Sequence, residues 1–374
     1  MKKLALVLAS LMAVGLLTAC NSAPSTPAAS GDSQVAGQQT SGDGMQVDVF
    51  YYDYSDVYIS TVRNEMDAMF DSMGVNYKNW DGAGSQPGQT DQVNSAITAG
   101  SDLLIVNIVE TSSPDAAQTI CDAAKTAGIP VIFFNREVDN SVVSSYENCA
   151  FVGTNAPDAG HMQGEMIGQY LLDNYDAVDL NGDGTISYVM FKGQEGNAEA
   201  EARTQFAVED ADKILTEAGK SALSYYDSKA ATKYLVDQNG KWSAAAANDY
   251  MNTILSTYSE TNNNMVELVI ANNDEMAKGA ISALQTAGYN NGEGTTTIPV
   301  FGVDATDDAR ALIGEGKMTA SVMQDAEGMA STITTLAANI KDGKALMDGT
   351  DKFVVDTDVA KIRVPYQKYD SSSK

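Results

Sequence analysis

The chain has 374 residues, of which 44% are hydrophobic and only 20% charged, so it can bury a sizeable core and is long enough for two lobes. Its 50 acidic residues outnumber 23 basic ones. The resulting formal net charge of -27 excludes nucleic acid as a partner, because phosphate binding requires a basic surface. The same composition is too apolar for a disordered acidic tail.

Residues 1–19 are typical of an export signal, with two early lysines, an apolar run too short to span a bilayer comfortably, and small residues at its end. The tetrapeptide LTAC at 17–20 resembles a bacterial lipobox. That resemblance implies cleavage before Cys20, acylation of its thiol, and anchoring to the extracytoplasmic face of the cell membrane. An ordinary cleaved signal followed by an incidental cysteine is the alternative.

Residues 21–44 are rich in Ser, Gly, Ala, Pro and Gln, which predicts a flexible tether between the lipidated Cys20 and a fold that starts near Met45. No later segment is a candidate for crossing a bilayer, so membrane attachment would depend on the lipid alone. Cys121 and Cys149 permit one disulfide outside the cytoplasm but do not establish it.

From residue 45 onward, short runs rich in β-branched residues alternate with segments whose apolar residues recur at helical spacing, such as TVRNEMDAMFDSM and AAQTICDAAKTAG. Continuous apolar strands between helices indicate parallel sheets covered on both faces. The predicted fold class is therefore α/β, with two doubly wound parallel-sheet lobes. The predicted strands are 47–52, 102–108, 130–134, 186–191, 266–271, 298–303 and 319–324.

The segments that follow these strands are conspicuously polar. In doubly wound sheets ligands bind beyond the carboxyl ends of the strands, so these segments are candidates for a cleft with many directional hydrogen-bond partners. Polar loops are also the ordinary expectation for any surface connection. The segments are DYSDVY at 53–58, NRE at 135–137, KGQEGNAEAEAR at 192–203, NND at 272–274, Asp304, and Gln324 with Asp325.

The usual signatures of catalysis are missing from the sequence, and we predict that the protein is not an enzyme. The chain has one histidine, His161, no G-x-S-x-G elbow, no Gly-rich phosphate loop, and too few Cys and His residues for a zinc site. A glycosidase that pairs Glu199 with Asp56 or Asp304 is the enzymatic alternative, and it would turn over a nitrophenyl glycoside.

The segment DLNGDGTIS at 179–187 begins like a calcium loop. Asp179, Asn181 and Asp183 place oxygens at alternate positions, and Gly184 lies where an EF-hand requires glycine for its sharp turn. The twelfth position, however, is Met190 instead of the bidentate Glu that completes an EF-hand site. Either this is a metal-free turn, or the missing carboxylate comes from elsewhere in the chain.

The motifs FFNRE, DLNGDGTI, EAEART, VIANNDEMAKGA, PVFGVDA and RVPY, in this order, closely resemble the bacterial galactose/glucose-binding proteins of the periplasmic sugar-binding type I family. The resemblance covers nearly all of 45–367. It implies two Rossmann-like lobes, 45–153 with 325–361 and 154–324 with 362–374, joined by a three-segment hinge. It also implies one monosaccharide bound between the lobes, delivery of that sugar to the permease of an ABC transporter, and a monomeric protein.

For the loop at 179–187, the resemblance implies a structural calcium ion whose missing carboxylate is Glu267, from the segment VELVIANND. Ser187 departs from the family's longer glutamine, so a water would replace that ligand. The alternative remains a metal-free turn rich in Asp and Asn. The implied calcium ligands are Asp179, Asn181, Asp183, the backbone carbonyl of Thr185, Ser187 and Glu267.

For the sugar site, the resemblance implies a pyranose held by carboxylates, amides and one arginine, with Tyr58 and Trp242 on the two faces of the ring. Three of the positions, Asn197, Glu199 and Gln324, depart from the family pattern and leave open which hexose binds. The alternatives are a Trp242 packed within its own lobe, and an Arg203 paired with Glu199 along a helix. The implied site residues are Asp56, Tyr58, Asn135, Asn197, Glu199, Arg203, Trp242, Asn273, Asp304 and Gln324.

The same fold also serves a second role, as a receptor that presents its closed form to a sensor kinase or chemoreceptor. The sequence does not separate this role from import.

Overall fold

The computed structural model describes residues 44–373, so the predicted export signal and the predicted lipidation site at Cys20 lie outside the described residues. The strands are β1 (Gln46–Tyr51), β2 (Asn76–Asp81), β3 (Leu103–Val106), β4 (Val131–Phe134), β5 (Cys149–Gly153), β6 (Ser187–Lys192), β7 (Ser224–Tyr225), β8 (Leu235–Val236), β9 (Leu268–Ala271), β10 (Val300–Asp304), β11 (Ala320–Met323), β12 (Val354–Val355), β13 (Lys361–Arg363) and β14 (Gln367–Asp370). The helices are α1 (Val57–Met73), α2 (Gln86–Ala99), α3 (Asp115–Ala127), α4 (Asn140–Ser144), α5 (Ala156–Val178), α6 (Ala198–Glu217), α7 (Ala244–Leu255), α8 (Asp274–Thr286), α9 (Asp307–Gly314) and α10 (Ala326–Lys341).

The strands form two sheets, one in each lobe. The first sheet has the order β12-β13-β5-β4-β3-β1-β2, and only the β12–β13 pair in it is antiparallel. The second has the order β14-β11-β10-β9-β6-β7, with β8 also paired to β6 and with β14 antiparallel to β11. Helices follow most of the parallel strands, so the fold has the predicted class of two doubly wound lobes.

Alternate residues of the strands face opposite layers of helices. In β1, Val49 packs with α1 and α10 on one face, whereas Phe50 packs with α2 and α3 on the other. In β6, Val189 packs with α7 and α8, whereas Met190 packs with α5 and α6. Both faces of each sheet are therefore apolar, which explains why the strands read as continuous hydrophobic runs. In the first lobe, the thiols of Cys121 and Cys149 are buried and free, and Cys121 Sγ donates to the Val142 carbonyl oxygen at 3.6 Å.

The chain passes between the lobes three times: after β5, after β11 and after β13. Because β13 pairs with β5, it extends the first sheet to Arg363. The third crossing therefore lies between 363 and 367, and the predicted boundary between residues 361 and 362 was two residues too early. No helix within residues 44–373 combines the length and the apolar character that a membrane span requires.

Helices α5 and α6 lie unusually close together, because glycines at 160, 164 and 168 form a stripe along α5. A Cβ on Gly164 would come within 2.7 Å of the Phe206 carbonyl oxygen, and one on Gly168 within 2.8 Å of the Ile214 Cβ. The absence of side chains lets α6 approach closely. This packing fixes α6, whose first turns carry Glu199 and Arg203.

Candidate ligand-binding site

A pocket lies between the carboxyl ends of the two sheets. All ten side chains predicted from the sequence line it, so the positions following the strands do converge, as the topology of doubly wound sheets requires. Two further residues, Tyr52 and Arg136, complete the lining. The full set is Tyr52, Asp56, Tyr58, Asn135, Arg136, Asn197, Glu199, Arg203, Trp242, Asn273, Asp304 and Gln324.

Three of the polar side chains in the pocket are also helix N-caps. The Oδ1 atoms of Asp56, Asn197 and Asn273 accept hydrogen bonds from backbone N–H groups in the first turns of α1, α6 and α8, at 2.8–3.0 Å. Asp and Asn are favoured at such positions because their short side chains satisfy the free N–H groups of the first turn. The second polar atom of each side chain is thereby held at the end of a helix, where it bonds the Tyr52 hydroxyl, Thr111 Oγ1 or the Trp242 carbonyl oxygen.

Three other lining residues have positive φ angles: Asn135 (φ 62°), Trp242 (φ 56°) and Asp304 (φ 117°). Side chains other than glycine rarely adopt this backbone region, and for Asp304 the value lies outside the usual left-handed region. Asn135 directly follows β4, and Asp304 ends β10. Such strain concentrates at ligand sites, where the surrounding structure enforces it.

A chain of amide hydrogen bonds crosses the pocket. Gln324, at the second crossing between the lobes, donates from Nε2 to Asp304 Oδ1 at 2.9 Å, and Asn135 Nδ2 lies 3.5 Å from Gln324 Oε1. Asn107 in turn donates from Nδ2 to Asn135 Oδ1 at 3.3 Å. One residue of the hinge therefore connects a carboxylate of the second lobe to amides of the first.

Arg203 is buried in the pocket wall, and both terminal nitrogens of its guanidinium group form hydrogen bonds. Nη1 donates to the Asn272 carbonyl oxygen at 2.9 Å and Nη2 to the Tyr366 hydroxyl at 3.0 Å. Among the described residues, its Nε has no hydrogen-bond partner. Arg203 and Glu199 form no ion pair there, so the alternative of a simple helix pair was wrong.

The three carboxylates of the pocket are deeply buried, and burial raises the pKa of Asp56, Glu199 and Asp304 above their ordinary values. For Glu199 the charge of nearby Glu137 adds to this effect. Glu199 Oε1 accepts a hydrogen bond from the Glu137 backbone N–H across the cleft at 3.1 Å, whereas its Oε2 has no partner within the described chain.

Arg136 and Tyr52, which the sequence analysis did not assign to the site, form its first-lobe wall. The Arg136 guanidinium carbon lies 4.1 Å from the Tyr52 ring centroid, and the Tyr52 hydroxyl donates to Asp56 Oδ2 at 2.6 Å. Arg136 Nη2 donates across the cleft to Gln194 Oε1 at 2.5 Å. Both residues could have been predicted from the sequence, because Arg136 belongs to the FFNRE motif and Tyr52 ends the first predicted strand.

Tyr58 and Trp242 line the pocket from opposite lobes, Tyr58 in the first turn of α1 and Trp242 in the loop before α7. A Cβ on Gly193 would lie 2.1 Å from the Trp242 ring, so glycine is required for the ring to lie against the backbone there. Trp242 therefore does pack on its own lobe, as the alternative held, but it also lines the pocket. The two interpretations are compatible.

The loop at 179–187 lies apart from the pocket, and Glu267 reaches it from the segment before β9. Its Oε1 accepts from the Leu180 backbone N–H at 2.8 Å and its Oε2 from the Ser187 N–H at 2.9 Å. Asp179 and Asp183 accept backbone N–H groups of the same loop, at 2.8–3.2 Å. Within residues 44–373, no three His, Cys, Asp or Glu side chains converge closely enough to hold a metal ion.

Comparison with known proteins places this geometry in a family. A family model described as a periplasmic binding protein domain matches residues 47–345. The chain is 32% identical over 329 residues to the D-galactose/methyl-galactoside binding periplasmic protein MglB of Haemophilus influenzae, covering 88% of this chain and 90% of that protein. It is 31% identical over 294 residues to a putative rhizopine-binding protein of Rhizobium meliloti, covering 78% and 83%.

Solved structures show the same fold. An ABC transporter solute binding protein from Clostridium phytofermentans with bound β-D-glucose has a TM-score of 0.66 at 21% identity, covering 87% of this chain and 94% of its own. A second, from Bacillus halodurans with bound myo-inositol, has a TM-score of 0.66 at 24% identity, covering 89% and 96%.

Proposed function

Because the chain belongs to the periplasmic binding protein family, which consists of binding proteins and not of enzymes, we propose that its interlobe pocket captures galactose or glucose. It would then deliver the sugar, as a monomer, to the permease of an ABC transporter. The glycosidase alternative is excluded by this family membership, and Glu199, Asp56 and Asp304 act in binding.

The observation that carries the proposal is a set of buried polar atoms in the pocket wall that have no partner within residues 44–373. These are Glu199 Oε2, Arg203 Nε and Arg136 Nε. A buried polar group without a partner costs roughly 1–3 kcal/mol, so a pocket that keeps three of them is suited to a ligand that satisfies both donors and acceptors. Sugar hydroxyls do both, whereas a purely anionic ligand would leave the carboxylates unpaired.

The aromatic rings add the second requirement of a pyranose. Tyr58 and Trp242 present apolar surface from the two lobes, and the C–H faces of a sugar ring are its apolar surface. The polar groups lie around them, so they would fix the rotation of the ring through its hydroxyls. Galactose is favoured by the relative from Haemophilus influenzae and glucose by the solved Clostridium phytofermentans protein.

Binding between two lobes explains how occupancy becomes a signal for transport. Each lobe alone offers only part of the hydrogen-bonding set, so a closed arrangement is stabilised when a ligand bridges both. Contacts between the lobes outside the pocket include an ion pair from Lys241 Nζ to Asp53 Oδ2 at 3.2 Å. With roughly half of its side chain exposed, this Lys241 pair adds little by itself.

Calorimetry with galactose and glucose tests the proposal, and we expect a dissociation constant of about 1 μM or below. Tryptophan fluorescence provides a second readout, because the chain has only two tryptophans, Trp242 in the pocket and Trp80 stacked on Phe50 in β1. Sugar should change the emission of the Trp80→Phe variant and leave that of Trp242→Phe unchanged. The absence of heat with every aldohexose and aldopentose would refute the proposal.

We also propose a structural calcium ion at the loop 179–187, held by Asp179, Asn181, Asp183, the Thr185 carbonyl, Ser187 and Glu267. The donor set is oxygen only, as calcium prefers. Asp179, Asp183 and Glu267 form no ion pair within residues 44–373, so a cation there would offset three carboxylates. These carboxylates do not converge on one point in the described part of the chain, so the ion would have to draw them together. The carboxylates already accept backbone N–H groups, and the ion would bind on their remaining lone pairs.

Thermal unfolding of sugar-free protein, first treated with EDTA and then titrated with Ca²⁺, tests this second proposal. Calcium that binds only the folded chain should raise the unfolding temperature, and Asp183→Asn should reduce the rise. Mg²⁺ at the same concentration is the control, because it demands a smaller octahedral site. Equal unfolding temperatures with EDTA, Ca²⁺ and Mg²⁺ would favour the metal-free turn.

Finally, we propose that acylated Cys20 anchors the protein to the extracytoplasmic face of the membrane. The family places the protein outside the cytoplasm, and the anchor rests on the LTAC sequence. In fractionated cells, the wild-type protein should be found with membranes and the Cys20→Ala variant should not carry the lipid mass. Wild-type protein of unmodified mass in the soluble fraction would instead indicate an ordinary cleaved signal.

A further inference from the structure

One buried tyrosine connects the pocket to two of the three crossings between the lobes. Tyr366 lies in the third crossing, between β13 and β14, and Thr154 in the first, between β5 and α5. The Tyr366 ring packs against Ala159, Val303 and Val322, and only 6% of the residue is exposed. Its hydroxyl is 2.7 Å from Thr154 Oγ1 and 3.0 Å from Arg203 Nη2. It does not itself line the pocket.

The chemistry of the three groups gives this chain of hydrogen bonds a direction. Arginine has only donors, so Arg203 Nη2 must donate to the Tyr366 oxygen. The Tyr366 hydroxyl then has its own proton to donate, and Thr154 Oγ1 is the acceptor at 2.7 Å. A positive guanidinium polarises the phenol and makes it a stronger donor, so the two bonds strengthen one another.

The same path continues through the first crossing and returns to the pocket. The Thr154 carbonyl oxygen accepts from Arg363 Nη1 at 2.7 Å, and Arg363 Nη1 also donates to Glu137 Oε2 at 2.6 Å. The Glu137 backbone N–H donates to Glu199 Oε1 at 3.1 Å. Both ends of the path are thus pocket residues on α6, Arg203 and Glu199.

We propose that Tyr366 is a positioning residue, which orients Arg203 toward the bound sugar and ties the first and third crossings together in the closed arrangement. This inference rests on the proposed sugar-binding function and assigns one part of it to a residue outside the pocket. Arg203 uses one N–H of Nη1 on Asn272 and one N–H of Nη2 on Tyr366, so its Nε–H, unpartnered among the described residues, and the second N–H of each terminal nitrogen remain as donors. Without the Tyr366 hydroxyl, the buried Nη2 loses its partner. Only the bond from Nη1 to the Asn272 carbonyl oxygen then orients the guanidinium group.

The test is the Tyr366→Phe variant of the mature protein, which removes the hydroxyl and keeps the packed ring. Sugar affinity by calorimetry should fall about tenfold, the usual effect of losing one hydrogen bond to a charged group. Stopped-flow tryptophan fluorescence should show that most of this change is faster sugar release. The reason is that the closed arrangement has lost the hydrogen bond that joins the first and third crossings.

Tyr250→Phe is the matched control. The Tyr250 hydroxyl, on α7 of the same lobe, donates to the Val236 carbonyl oxygen at 3.0 Å, far in sequence from the hinge and outside the pocket lining. Both variants should lower the unfolding temperature of sugar-free protein by similar amounts. Only Tyr366→Phe should change affinity, and Tyr250→Phe should bind within about twofold of wild type.

Thr154→Val separates positioning from packing. It removes the acceptor of the Tyr366 proton and should weaken binding by a smaller factor, about threefold, in the wild-type background. In the Tyr366→Phe background it should have no further effect on affinity, because Thr154 acts on the pocket through Tyr366. Additive effects of the two substitutions would contradict the proposed path.

The outcomes also distinguish this inference from the proposed function. If wild-type protein binds sugar and Tyr366→Phe binds equally well, the inference is wrong and the proposed function stands. Equal losses of affinity in Tyr366→Phe and Tyr250→Phe would likewise overturn the inference, since they would reflect general destabilisation. If no sugar binds even to the wild-type protein, both are overturned.

Discussion

The interlobe pocket and the loop at 179–187 are both built from Asp, Asn and Glu side chains, but they differ in how completely their hydrogen bonds are satisfied. In the loop, Glu267 accepts three backbone hydrogen bonds, from the N–H groups of Leu180, Asn181 and Ser187, and it shares the Ser187 hydroxyl proton with the Met265 carbonyl oxygen. In the pocket, Glu199 accepts one with Oε1, and its Oε2 has no partner among the described residues. Both glutamates are buried, with 0% and 5% of the residue exposed.

This difference implies that Glu267 stabilises the folded chain, whereas Glu199 keeps an acceptor oxygen available for a ligand. A buried carboxylate with a full set of donors stabilises the folded chain, and removing it leaves backbone N–H groups without acceptors. A buried carboxylate with one donor destabilises the ligand-free protein and recovers that cost when a sugar hydroxyl binds. The two regions should therefore respond in opposite ways to the same chemical change.

The largest effect should come from removing the indole in the pocket. Trp242→Ala deletes one of the two apolar faces that would contact the sugar, and the dissociation constant should rise at least about 100-fold, which corresponds to about 2.7 kcal/mol. Calorimetry measures the change, with Trp80→Phe as the control outside the pocket. Binding within a factor of about three of wild type would remove Trp242 from the site.

The next effect is on stability. Glu267→Gln replaces one accepting oxygen with an NH2 group that faces backbone donors, and the free energy of unfolding should fall by about 2–4 kcal/mol. Denaturant titration in the presence of EDTA measures this loss without any contribution from a metal ion. Sugar affinity should stay within about twofold of wild type, because the loop does not touch the pocket. A large loss of sugar affinity would show that the loop and the pocket are energetically coupled.

The matched substitution in the pocket should act in the opposite sense. Burial raises the pKa of both glutamates, but only Glu199 has a carboxylate oxygen without a partner among the described residues, so Glu199→Gln should stabilise the ligand-free protein by about 1 kcal/mol at neutral pH. The same variant should bind sugar about tenfold more weakly, because an amide is a poorer acceptor for a hydroxyl than a carboxylate. If Glu199→Gln and Glu267→Gln lower the free energy of unfolding equally, the two glutamates do not differ in their contribution to stability.

The smallest effect concerns pH. Because burial raises the pKa of Asp56, Glu199 and Asp304, these groups take up protons at a higher pH in the folded than in the unfolded chain. Their contribution to stability is therefore present below their unfolded pKa and is lost as pH rises through the folded value. We expect the ionised form to bind the sugar, so affinity should fall severalfold as the pH is lowered through the raised pKa values of the folded protein. Calorimetry on Glu199→Gln should show a shallower dependence.

Much of the fold followed from local pattern. Each of the seven predicted strands is present with its ends within two residues, because a strand buried on both faces must be apolar along its whole length. The strands that were not predicted are edge or short elements, with the exception of β5 (Cys149–Gly153), a buried inner strand of five residues that the sequence analysis missed. For example, β2 is the polar segment NYKNWD, and β13 has only three residues, so neither carries a continuous apolar signal.

The sequence by itself determined the polar residues at the strand ends and the carboxylates of the loop. Strand ends in a doubly wound sheet necessarily meet at one edge, so their chemistry could be read in order along the chain. Only the tertiary structure decided which polar atoms keep a partner. Glu199, Arg203 and Tyr366 gain or lack theirs through contacts with residues far away in sequence, and hydrogen-bond satisfaction depends on distances that no local pattern records.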